Sequence, residues 1–353
     1  MTAQQVGIGL SGGVDSAIAA HLLKQEGYRV TAFFMRLPVD EADSQEQRAG
    51  NVAVALGIPL RVIAMEEVFL EKIIRPFLDE YRIGRTPNPC VRCNRIIKFG
   101  LLAAYMLDQG MDMMASGHYA RIDRTESGEY ALRRGLDQGK DQSYFLCRLG
   151  REQLGRILFP LGTLRKKEVQ ELAASLGLAG KTGTESQDVC FLDKGLQMFL
   201  VKHGLAGQPG EILSLDGRVL GTHAGIHHYT IGQRRGLGLP DATPWYVVRL
   251  DPAANEVIVG KNEDLFQHRF YVDHLHWPGV EKKLPWRGGV QLRSRHSPAP
   301  ATLTRKKSGW SITCEEPQRA ITPGQYAVLY EDDKVVASAV IINNESGSCA
   351  DQP

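Results

Sequence analysis

"GLSGGVDS", residues 9–16, joins the first apolar run of the chain to its first amphipathic helix. The helix is predicted because Val14, Ile18 and Leu22 recur at four-residue spacing before Gly27, which is a typical C-cap. A glycine-rich turn between a strand and a helix offers backbone N–H groups and the positive end of the helix to a phosphate. The stretch lacks the lysine of G-x-x-x-x-G-K-[ST] and does not match G-x-G-x-x-G. It therefore predicts a phosphate-binding loop of another kind rather than a plain tight turn.

Strand and helix signals alternate outward from this loop over about the first 200 residues. The β-branched or apolar runs "RVTAFFM" (29–35), "LRVIAM" (60–65) and "MDMMASGH" (111–118) predict strands. Helices are predicted for "NVAVALG", for "VFLEKIIRPFLDEYRIG", with a kink or break at Pro76, and for "IIKFGLLAAYMLDQG". Repeated strand–helix units with continuous apolar strands predict a parallel, doubly wound α/β sheet.

The pattern changes near residue 205. "GEILSLDGRVLG" (210–221) predicts a hairpin with a type I′ turn at Asp216-Gly217. Short strands separated by turns follow to the end, which favours a small antiparallel barrel. We predict an N-terminal catalytic domain at 1–204, a small central β-rich domain at 205–268, a C-terminal antiparallel β-barrel at 269–345 and a tail at 346–353.

Composition and charge exclude some classes of protein but do not identify a binding partner. Lys plus Arg is 42 and Asp plus Glu is 40, so the net charge of +2 does not by itself indicate nucleic-acid binding. No apolar run approaches the roughly 18 residues of a membrane helix, and the N-terminus lacks the features of a signal peptide. Six scattered cysteines predict a cytoplasmic protein with reduced thiols.

Two of those cysteines form a C-x-x-C in "RTPNPCVRCNR", residues 85–95. A structural zinc site needs four ligands, so Cys90 and Cys93 would need two more, for which Cys190 and His118 are the candidates. A thioredoxin-like pair should open a helix directly after a strand, whereas this C-x-x-C lies in what reads as a Pro- and Arg-rich loop. The residues alone leave the role of the pair open.

Eight segments give the chain a resemblance to a known family. They are "GLSGGVDS", which is the loop of ATP pyrophosphatases, "TPNPCVRCNRIIKFG", "ASGHYA", "KDQSYFL", "SQDVCFL", "HHYTIGQRRGLGL", "PWYVV" and "TPGQYAVLY". In this order, from residue 9 to about 330, they resemble the tRNA-specific 2-thiouridylases of bacteria and organelles. The resemblance implies a tRNA-uridine 2-sulfurtransferase. ATP with Mg²⁺ would adenylate the C2 oxygen of the wobble uridine in tRNAs for Lys, Glu and Gln, and a cysteine persulfide would then supply sulfur, giving 2-thiouridine, AMP and pyrophosphate.

The resemblance also implies roles for individual residues. Cys190 would carry the persulfide and Cys93 would be the partner nucleophile, and the two would form a redox-active disulfide. ATP would contact Gly9, Leu10, Ser11, Gly12, Gly13, Val14, Asp15, Ser16, Met35 and Gly117. The target base and the tRNA would contact Asn88, Pro89, Cys90, His118, Lys140, Asp141, Gln142, Arg295, His296 and Gln325. Arg92 and Arg95, which flank Cys93, are expected to favour its thiolate.

Cys90 departs from the pattern of many family members, which carry an aspartate there with an acid/base role. That role is unassigned in this chain. No metal is assigned, but an iron–sulfur cluster held by Cys90, Cys93 and Cys190 is an alternative to a free persulfide.

The expected partners are the anticodon stem-loop of tRNA and a sulfur donor, either a cysteine desulfurase or a relay protein. A monomer is favoured, with no membrane partner. Basic clusters are expected to contact RNA phosphates; they lie at residues 133–134, 165–167, 234–235, 282–283 and 305–307. Two rival functions stay open: an ATP-pyrophosphatase ligase or amidotransferase acting on a small molecule, and a tRNA-binding, metal-holding protein without turnover.

Overall fold

Three sheets organise the chain in the predicted order. The computed structural model describes residues 3–125, 128–178, 180, 182, 189–240, 242–307 and 309–342. A parallel sheet comes first, a small mixed sheet second and a closed antiparallel barrel third. Within the described residues, no helix combines the length and apolar character needed to cross a bilayer.

The first sheet contains five parallel strands in the order β3-β2-β1-β4-β7. Their bounds are β1 Gln5–Gly9, β2 Arg29–Arg36, β3 Leu60–Ala64, β4 Met113–Ala115 and β7 Ile157–Leu158. β1 is central, and the chain winds outward from it first towards β3 and later towards β7. This reversal confirms the doubly wound prediction and places the topological switch point between β1 and β4, at whose carboxyl ends α/β sheets bind ligands.

Helices and two apolar cores cover the sheet. One core packs α1 Val14–Gln25, α2 Ala42–Leu56 and α7 Lys166–Ser175 around Ile18, Val52 and Val169. The other core includes Phe69, Ile97 and Met106 from two composite helices. The first, α3, runs as Glu66–Phe69, a π-helical Leu70–Ile74 and Arg75–Arg82; the second, α4, runs as Pro89–Cys93, a π-helical Asn94–Leu102 and Ala103–Asp108.

The break predicted at Pro76 takes the form of the π-helical segment directly before it. Pro76 itself lies in the first turn of Arg75–Arg82. The remaining helices are short: α5 Ser143–Leu146, α6 Arg151–Leu154 and α8 Leu196–Lys202.

The central sheet has the order β10-β11-β8-β9. Its strands are β8 Gly210–Ser214, β9 Val219–His223, β10 Tyr246–Asp251 and β11 Glu256–Gly260, with 3₁₀ turns at Ile226–His228 and Asn262–Leu265. The β8–β9 hairpin is confirmed, but its predicted type I′ turn is wrong. A type I′ turn needs positive φ at both central residues, whereas of Asp216 and Gly217 only Gly217 has positive φ, at 82°. The Gly217 N–H bonds the Ser214 carbonyl, so the glycine ends a longer connection between the strands.

The barrel closes because β12 pairs with both β15 and β17. Its six antiparallel strands are β12 Phe266–His276, β13 Trp286–Gln291, β14 Ala299–Lys306, β15 Gly309–Arg319, β16 Tyr326–Glu331 and β17 Lys334–Ile342. Cys314 on β15 is buried in the barrel core and Cys147 is buried in the first domain's core. Cys349 and the predicted 346–353 tail lie outside the described residues.

A hairpin from the first part of the chain extends the barrel sheet. β5 Ala120–Arg124 and β6 Tyr130–Arg134 pair with each other, and β6 joins β17. Arg133 binds Asp123 and Asp333, while Arg134 donates to Gln291 at 2.6 Å. The cluster at 133–134, expected to face RNA, is therefore used to attach the hairpin to the barrel.

Candidate active site

The phosphate loop lies at the carboxyl end of β1 and is built largely from backbone. Gly12 has φ of +77°, and a Cβ on it would lie 2.9 Å from Arg48 Cβ and 3.0 Å from Ala49 N, so only glycine fits. α1 begins directly afterwards, and no side chain caps its N-terminus at Gly13. N–H groups in the first turn of a helix have no partner within the helix, so this end is suited to bind an anion.

The two serines of the loop are used to hold its shape. Ser16 Oγ donates to the Gly13 carbonyl at 3.0 Å and accepts from Ser11 N at 3.2 Å. Ser16 is buried, so its hydroxyl supports the loop from beneath. The anion-binding capacity of the loop therefore comes chiefly from its N–H groups.

Gly117 packs against the loop from the neighbouring strand. It follows β4, and a Cβ at this position would lie 2.7 Å from the Asp15 carbonyl carbon and 2.8 Å from Ser16 N. Met35 is half-buried near the carboxyl end of β2. The predicted ATP contacts from three separate sequence segments thus lie at one edge of the sheet.

The side chain of Asp15 is held by two residues that the sequence did not connect with the loop. Lys166 Nζ lies 2.7 and 2.8 Å from the two Asp15 carboxylate oxygens, and Tyr119 Oη donates to Oδ1 at 2.8 Å. Lys166 was predicted to be part of an RNA-facing cluster at 165–167. Its side chain is directed to the phosphate loop instead, and is only 12% exposed.

The C-x-x-C lies in the first turn of a helix, so its predicted placement in a loop is wrong. Asn88 is the N-cap of α4, its side chain accepting from Val91 N at 3.4 Å, and Pro89 is the first helical residue. Both are favoured at these positions, because the amide side chain caps a free N–H and proline has none to leave unpaired. Cys90 is half-buried and Cys93 is 8% exposed.

Burial dominates the ionisation of these thiols. It raises the pKa of Cys93 to about 11 and also raises the pKa of Cys90. Arg92 and Arg95, which were expected to favour the Cys93 thiolate, are not among the causes that shift its pKa. The cation that opposes the rise for both thiols is Lys98, whereas Arg92 is exposed and directs its Nε to the Lys72 carbonyl at 2.6 Å.

The electrostatic effect of Lys98 on the thiols is consistent with the π-helical segment of α4 from Asn94 to Leu102. In a π-helical turn, hydrogen bonds run from residue i to residue i+5, and Lys98 is five residues after Cys93. Gly100 permits the wider turn, since a Cβ there would lie 2.9 Å from the Arg95 carbonyl oxygen. Sequence reasoning missed Lys98 because an ordinary α-helix directs residue i+5 away from residue i.

Cys190 is exposed, and its thiol is electrostatically coupled to the other two. Cys190 keeps solvent contact, yet desolvation by nearby protein atoms is the first cause that raises its pKa. Negative charge on Cys93 and then on Cys90 raises the pKa further, and Lys98 lowers it. All three cysteines are free thiols in this structure. The preceding residues Ser186, Gln187 and Asp188 lie outside the described part.

His118 connects the thiol region with the nucleotide end. Its Nδ1 lies 2.8 Å from Ser116 Oγ, and its ring packs on Phe99 and Phe159 at centroid distances of 5.6 and 5.9 Å. Burial and then Lys98 hold the pKa of His118 well below its ordinary value, so its ring is neutral at pH 7. Since His118 follows Gly117 and packs on Phe99 of α4, it joins the phosphate loop to the helix that carries Cys90 and Cys93.

Comparisons with known proteins agree with this arrangement. Residues 4–194, 197–261 and 267–341 match, in turn, a tRNA methyl transferase HUP domain, a tRNA methyl transferase PRC-barrel domain and an aminomethyltransferase beta-barrel domain. A relative from Desulfotalea psychrophila, "tRNA-specific 2-thiouridylase MnmA", is 44% identical over 95% of this chain and 98% of its own. The chain belongs to the tRNA-specific 2-thiouridylase family.

A second family member, from Solibacter usitatus, is 41% identical over 97% of this chain and its own full length. Among solved structures, "U34-tRNA thiolase NcsA from Methanococcus maripaludis with its [4Fe-4S] cluster" is 18% identical, covers 57% of this chain and 64% of its own, and has a TM-score of 0.36. The family assignment depends on the sequence relatives, which span nearly the whole chain. It makes this protein an enzyme, a tRNA sulfurtransferase of the ATP-pyrophosphatase type.

Several residues that the family resemblance assigned to tRNA are engaged within the protein. The Asp141 carboxylate accepts from Gly135 N and Ser143 N at 3.0 Å each, and the side chain is 6% exposed. Gln142 and Tyr119 bond each other through two contacts of 2.9 Å. The Asp141 and Gln142 side chains thus hold the backbone of this segment in place. Lys140, the residue before them, is half-buried.

The barrel supplies the other predicted tRNA contacts. Arg295 is exposed and His296 half-buried, with burial and then Arg293 lowering the His296 pKa. Gln325 faces inward: its Nε2 donates to the Thr86 carbonyl at 2.8 Å. The structure therefore separates Arg295, which is open to a partner, from Gln325, which contacts the segment leading into α4.

Thr86 is contacted from both other domains. Its N–H donates to the Pro323 carbonyl at 2.9 Å, and Gly324, with φ of +92°, lies so close that a Cβ would be 2.9 Å from the Thr86 oxygen. Its hydroxyl lies 3.1 Å from Thr230 Oγ1 in the central domain. These contacts form a junction just before the helix that carries Cys90 and Cys93.

The thiols do not fit a cluster as they are placed. Among the residues that the structure describes, no three His, Cys, Asp or Glu side chains are arranged to share a metal ion. Cys90, Cys93 and Cys190 therefore lack the common centre that an iron–sulfur or zinc site requires.

Proposed function

We propose that this enzyme uses ATP with Mg²⁺ to activate the C2 oxygen of the wobble uridine in tRNAs for Lys, Glu and Gln, and replaces that oxygen with sulfur. Curated relatives named as tRNA-specific 2-thiouridylases support the reaction class. The observation that carries the mechanism is that His118, next to Gly117 at the phosphate loop, packs its ring on Phe99 of α4, the helix that carries Cys90 and Cys93. Because tRNA is its substrate, we assign the reaction to the cytoplasm.

The first half-reaction is adenylation. The loop from Gly9 to Ser16 would hold the phosphates through its N–H groups, with Met35 and Gly117 beside the adenosine. The uridine O2 attacks the α-phosphorus, the bond between that phosphorus and the oxygen bridging to the β-phosphate breaks, and pyrophosphate leaves with the electron pair. The N3 proton of the uridine passes to solvent as the O2–phosphorus bond forms, and N3 takes a proton back from solvent when the thiolated base is released. ATP would bind as its Mg²⁺ complex, in which the ion would neutralise part of the phosphate charge. The product carries AMP as a leaving group, which a plain carbonyl oxygen is not.

The second half-reaction is sulfur transfer. Cys190 is exposed, which suits a residue that accepts a persulfide from a desulfurase or relay protein. The outer sulfur attacks C2 and AMP departs, leaving Cys190 joined to the base through a disulfide. The Cys93 thiolate then attacks Cys190 Sγ, which forms the Cys93–Cys190 disulfide and releases the thiolated base. A thiol reductant restores both cysteines for the next turnover.

Cys90 takes no proton-transfer role in this scheme. Its raised pKa and half-buried position make it a poor acid or base at pH 7, unlike the aspartate of other family members. We assign Asn88, Pro89 and Cys90 to contact with the target base, which must leave its stack in the anticodon loop to be modified.

The phosphates of the tRNA would contact cations that remain exposed. These are Arg295 in the barrel and six exposed members of the basic clusters, Arg165, Arg234, Arg235, Lys283, Arg305 and Lys307; Lys167 pairs with Glu171 instead. Residues 140–142 and His296 would support this surface.

A persulfide rather than a cluster is the sulfur carrier in this proposal, because the described cysteines do not share a metal-binding centre. Iron and sulfide analysis of anaerobically purified protein tests this choice. Activity without iron or sulfide is expected, and stoichiometric iron that activity requires would contradict it.

The reaction is tested by incubating the protein with ATP, Mg²⁺, a sulfur donor and unmodified tRNA. We expect tRNA-dependent AMP and 2-thiouridine, both measured by mass spectrometry. AMP formed equally well without tRNA would favour the small-molecule ligase. Binding of tRNA without AMP would favour a protein that does not turn over.

A further inference from the structure

The phosphate loop has no lysine of its own, but a lysine from elsewhere reaches it. Lys166 is the first residue of α7 and lies 151 positions after Asp15 in the chain, yet its ammonium group contacts both Asp15 carboxylate oxygens. Asp15 is in the first turn of α1, the turn whose N–H groups form the anion site. Because Lys166 contacts the Asp15 side chain, its ammonium group lies beside the loop where ATP phosphates would bind.

Several further contacts hold Lys166 and Asp15 in this arrangement. The Lys166 backbone N–H donates to Asp137 Oδ2 at 2.9 Å, and its Nζ lies 5.8 Å from the Tyr119 ring. Tyr119 also binds Asp15, so the carboxylate has two donors. The next residue offers a contrast: Lys167 is 85% exposed and pairs with Glu171 at 3.7 Å.

Stability alone does not account for a largely buried ion pair here. The cost of removing both charges from water offsets much of their attraction, so such pairs are weak sources of stability. A lysine kept beside an anion site has a further use, because its flexible stem lets the ammonium group act as a movable point charge.

We propose that Lys166 binds the pyrophosphate part of ATP, the task that the loop lysine performs in Walker A proteins. Asp15 holds the ammonium group in place until ATP arrives, and the β- and γ-phosphate oxygens then share it. During adenylation Lys166 stabilises the negative charge that pyrophosphate acquires as its bond to the α-phosphorus breaks. This inference rests on the proposed function, since it assumes that ATP is cleaved at this loop.

The proposal predicts a difference between two products. Pyrophosphate contains the β- and γ-phosphates that Lys166 would contact, whereas AMP contains only the α-phosphate. We expect Lys166→Met to weaken pyrophosphate binding at least about tenfold, measured by titration calorimetry, and to change AMP binding by less than about twofold. Lys166→Arg should retain part of the affinity for pyrophosphate. Lys167→Met removes the same charge one residue away and should bind both ligands as the wild type does.

Asp15→Asn separates ligand binding from a purely structural ion pair. It removes the partner but keeps the lysine, so it should bind pyrophosphate at least as tightly as the wild type. A structural pair would instead make Asp15→Asn and Lys166→Met equally defective. If Lys166→Met does not fold, as judged by circular dichroism and thermal melting, Lys166→Arg and Asp15→Asn still decide between the two.

The proposal is overturned if Lys166→Met binds pyrophosphate like Lys167→Met, or loses AMP and pyrophosphate affinity equally. Wild-type protein that binds neither AMP nor pyrophosphate would instead contradict the proposed ATP chemistry itself. The two failures are thus distinguishable.

Discussion

At the scale of single residues, the sulfur chemistry depends on thiols that the resting fold keeps protonated. Cys93 is buried, and its pKa of about 11 leaves little thiolate at pH 7 to 8. The nucleophile must therefore gain its charge during the reaction, when tRNA or the Cys190 adduct changes its surroundings. Lys98 is the nearby cation that favours this ionisation.

Alkylation of Cys93 in free protein tests this account. Only the thiolate reacts, so the rate should rise about tenfold per pH unit until it levels off near pH 11. Lys98→Met removes a positive charge that lowers the pKa, so it should slow alkylation at pH 8 by about threefold to tenfold. Mass spectrometry of iodoacetamide-treated protein measures the rate at each cysteine.

Arg95→Met is the matched control, because Arg95 is exposed and is not among the causes that shift the Cys93 pKa. Its alkylation profile should overlay that of the wild type. If Arg95→Met slows the reaction and Lys98→Met does not, the flanking arginines activate the thiol as their sequence position suggested. The sequence could name Cys93 and Cys190 but not Lys98, since only the π-helical turn brings residue i+5 back to the same side.

At the scale of elements, the nucleotide end depends on two turns that touch. Gly117→Ala would place a methyl group 2.7 Å from the Asp15 carbonyl carbon, and all the nearest atoms are backbone. The phosphate loop must then shift, so we expect ATP affinity to fall at least about tenfold, measured by titration calorimetry. The loss should be accompanied by a lower melting temperature, because overpacking costs about 1–3 kcal/mol.

Gly50→Ala provides the comparison within α2. A Cβ there meets nothing within 4 Å, so the substitution should leave ATP binding unchanged and stabilise the helix slightly. Gly117→Ala with wild-type ATP affinity would show that the strand–loop contact does not shape the nucleotide site.

Local sequence signals predicted four of the five strands of the first sheet, because their apolar runs are strong, whereas the two-residue β7 has no such run. The start of α4 carries conflicting signals: Asn88 and Pro89 have the N-cap and N1 preferences of a helix, whereas the neighbouring prolines and arginines are also typical of loops. The β5–β6 hairpin could not be placed from sequence, since its attachment to β17 joins residues about 200 positions apart. The contact between Lys166 and Asp15 could not be predicted from sequence for the same reason, because the two residues lie 151 positions apart.

At the scale of the whole molecule, the junction at Thr86 links the two β domains to the catalytic helix. Gln325→Leu removes the hydrogen bond to the Thr86 carbonyl while keeping a similar volume. The bond contributes about 0.5–1.5 kcal/mol, so folding should survive while the segment before Asn88 loosens. We expect the rate of thiolation to fall about threefold to tenfold, with tRNA-independent AMP and pyrophosphate binding unchanged.

Thiolation kinetics and calorimetry distinguish this role from direct RNA contact. A positioning role for Gln325 lowers kcat more than it raises KM for tRNA. A change confined to the KM for tRNA would instead support the direct RNA contact that the family resemblance implies for Gln325. Arg295→Ala offers the contrast, because an exposed arginine that binds phosphate should raise KM and reduce the salt dependence of binding.

The central claim is that sulfur reaches uridine through Cys190 and is released by Cys93. It is tested most directly by loading the protein with sulfur from a labelled donor, adding ATP and unmodified tRNA for one turnover, and locating the label by mass spectrometry. The account predicts a persulfide on Cys190 that passes to 2-thiouridine in the wild type. In Cys93→Ser, the label should remain on Cys190 or in its adduct with tRNA. Label found on Cys93 first, or thiolated tRNA formed by Cys190→Ser, would contradict it.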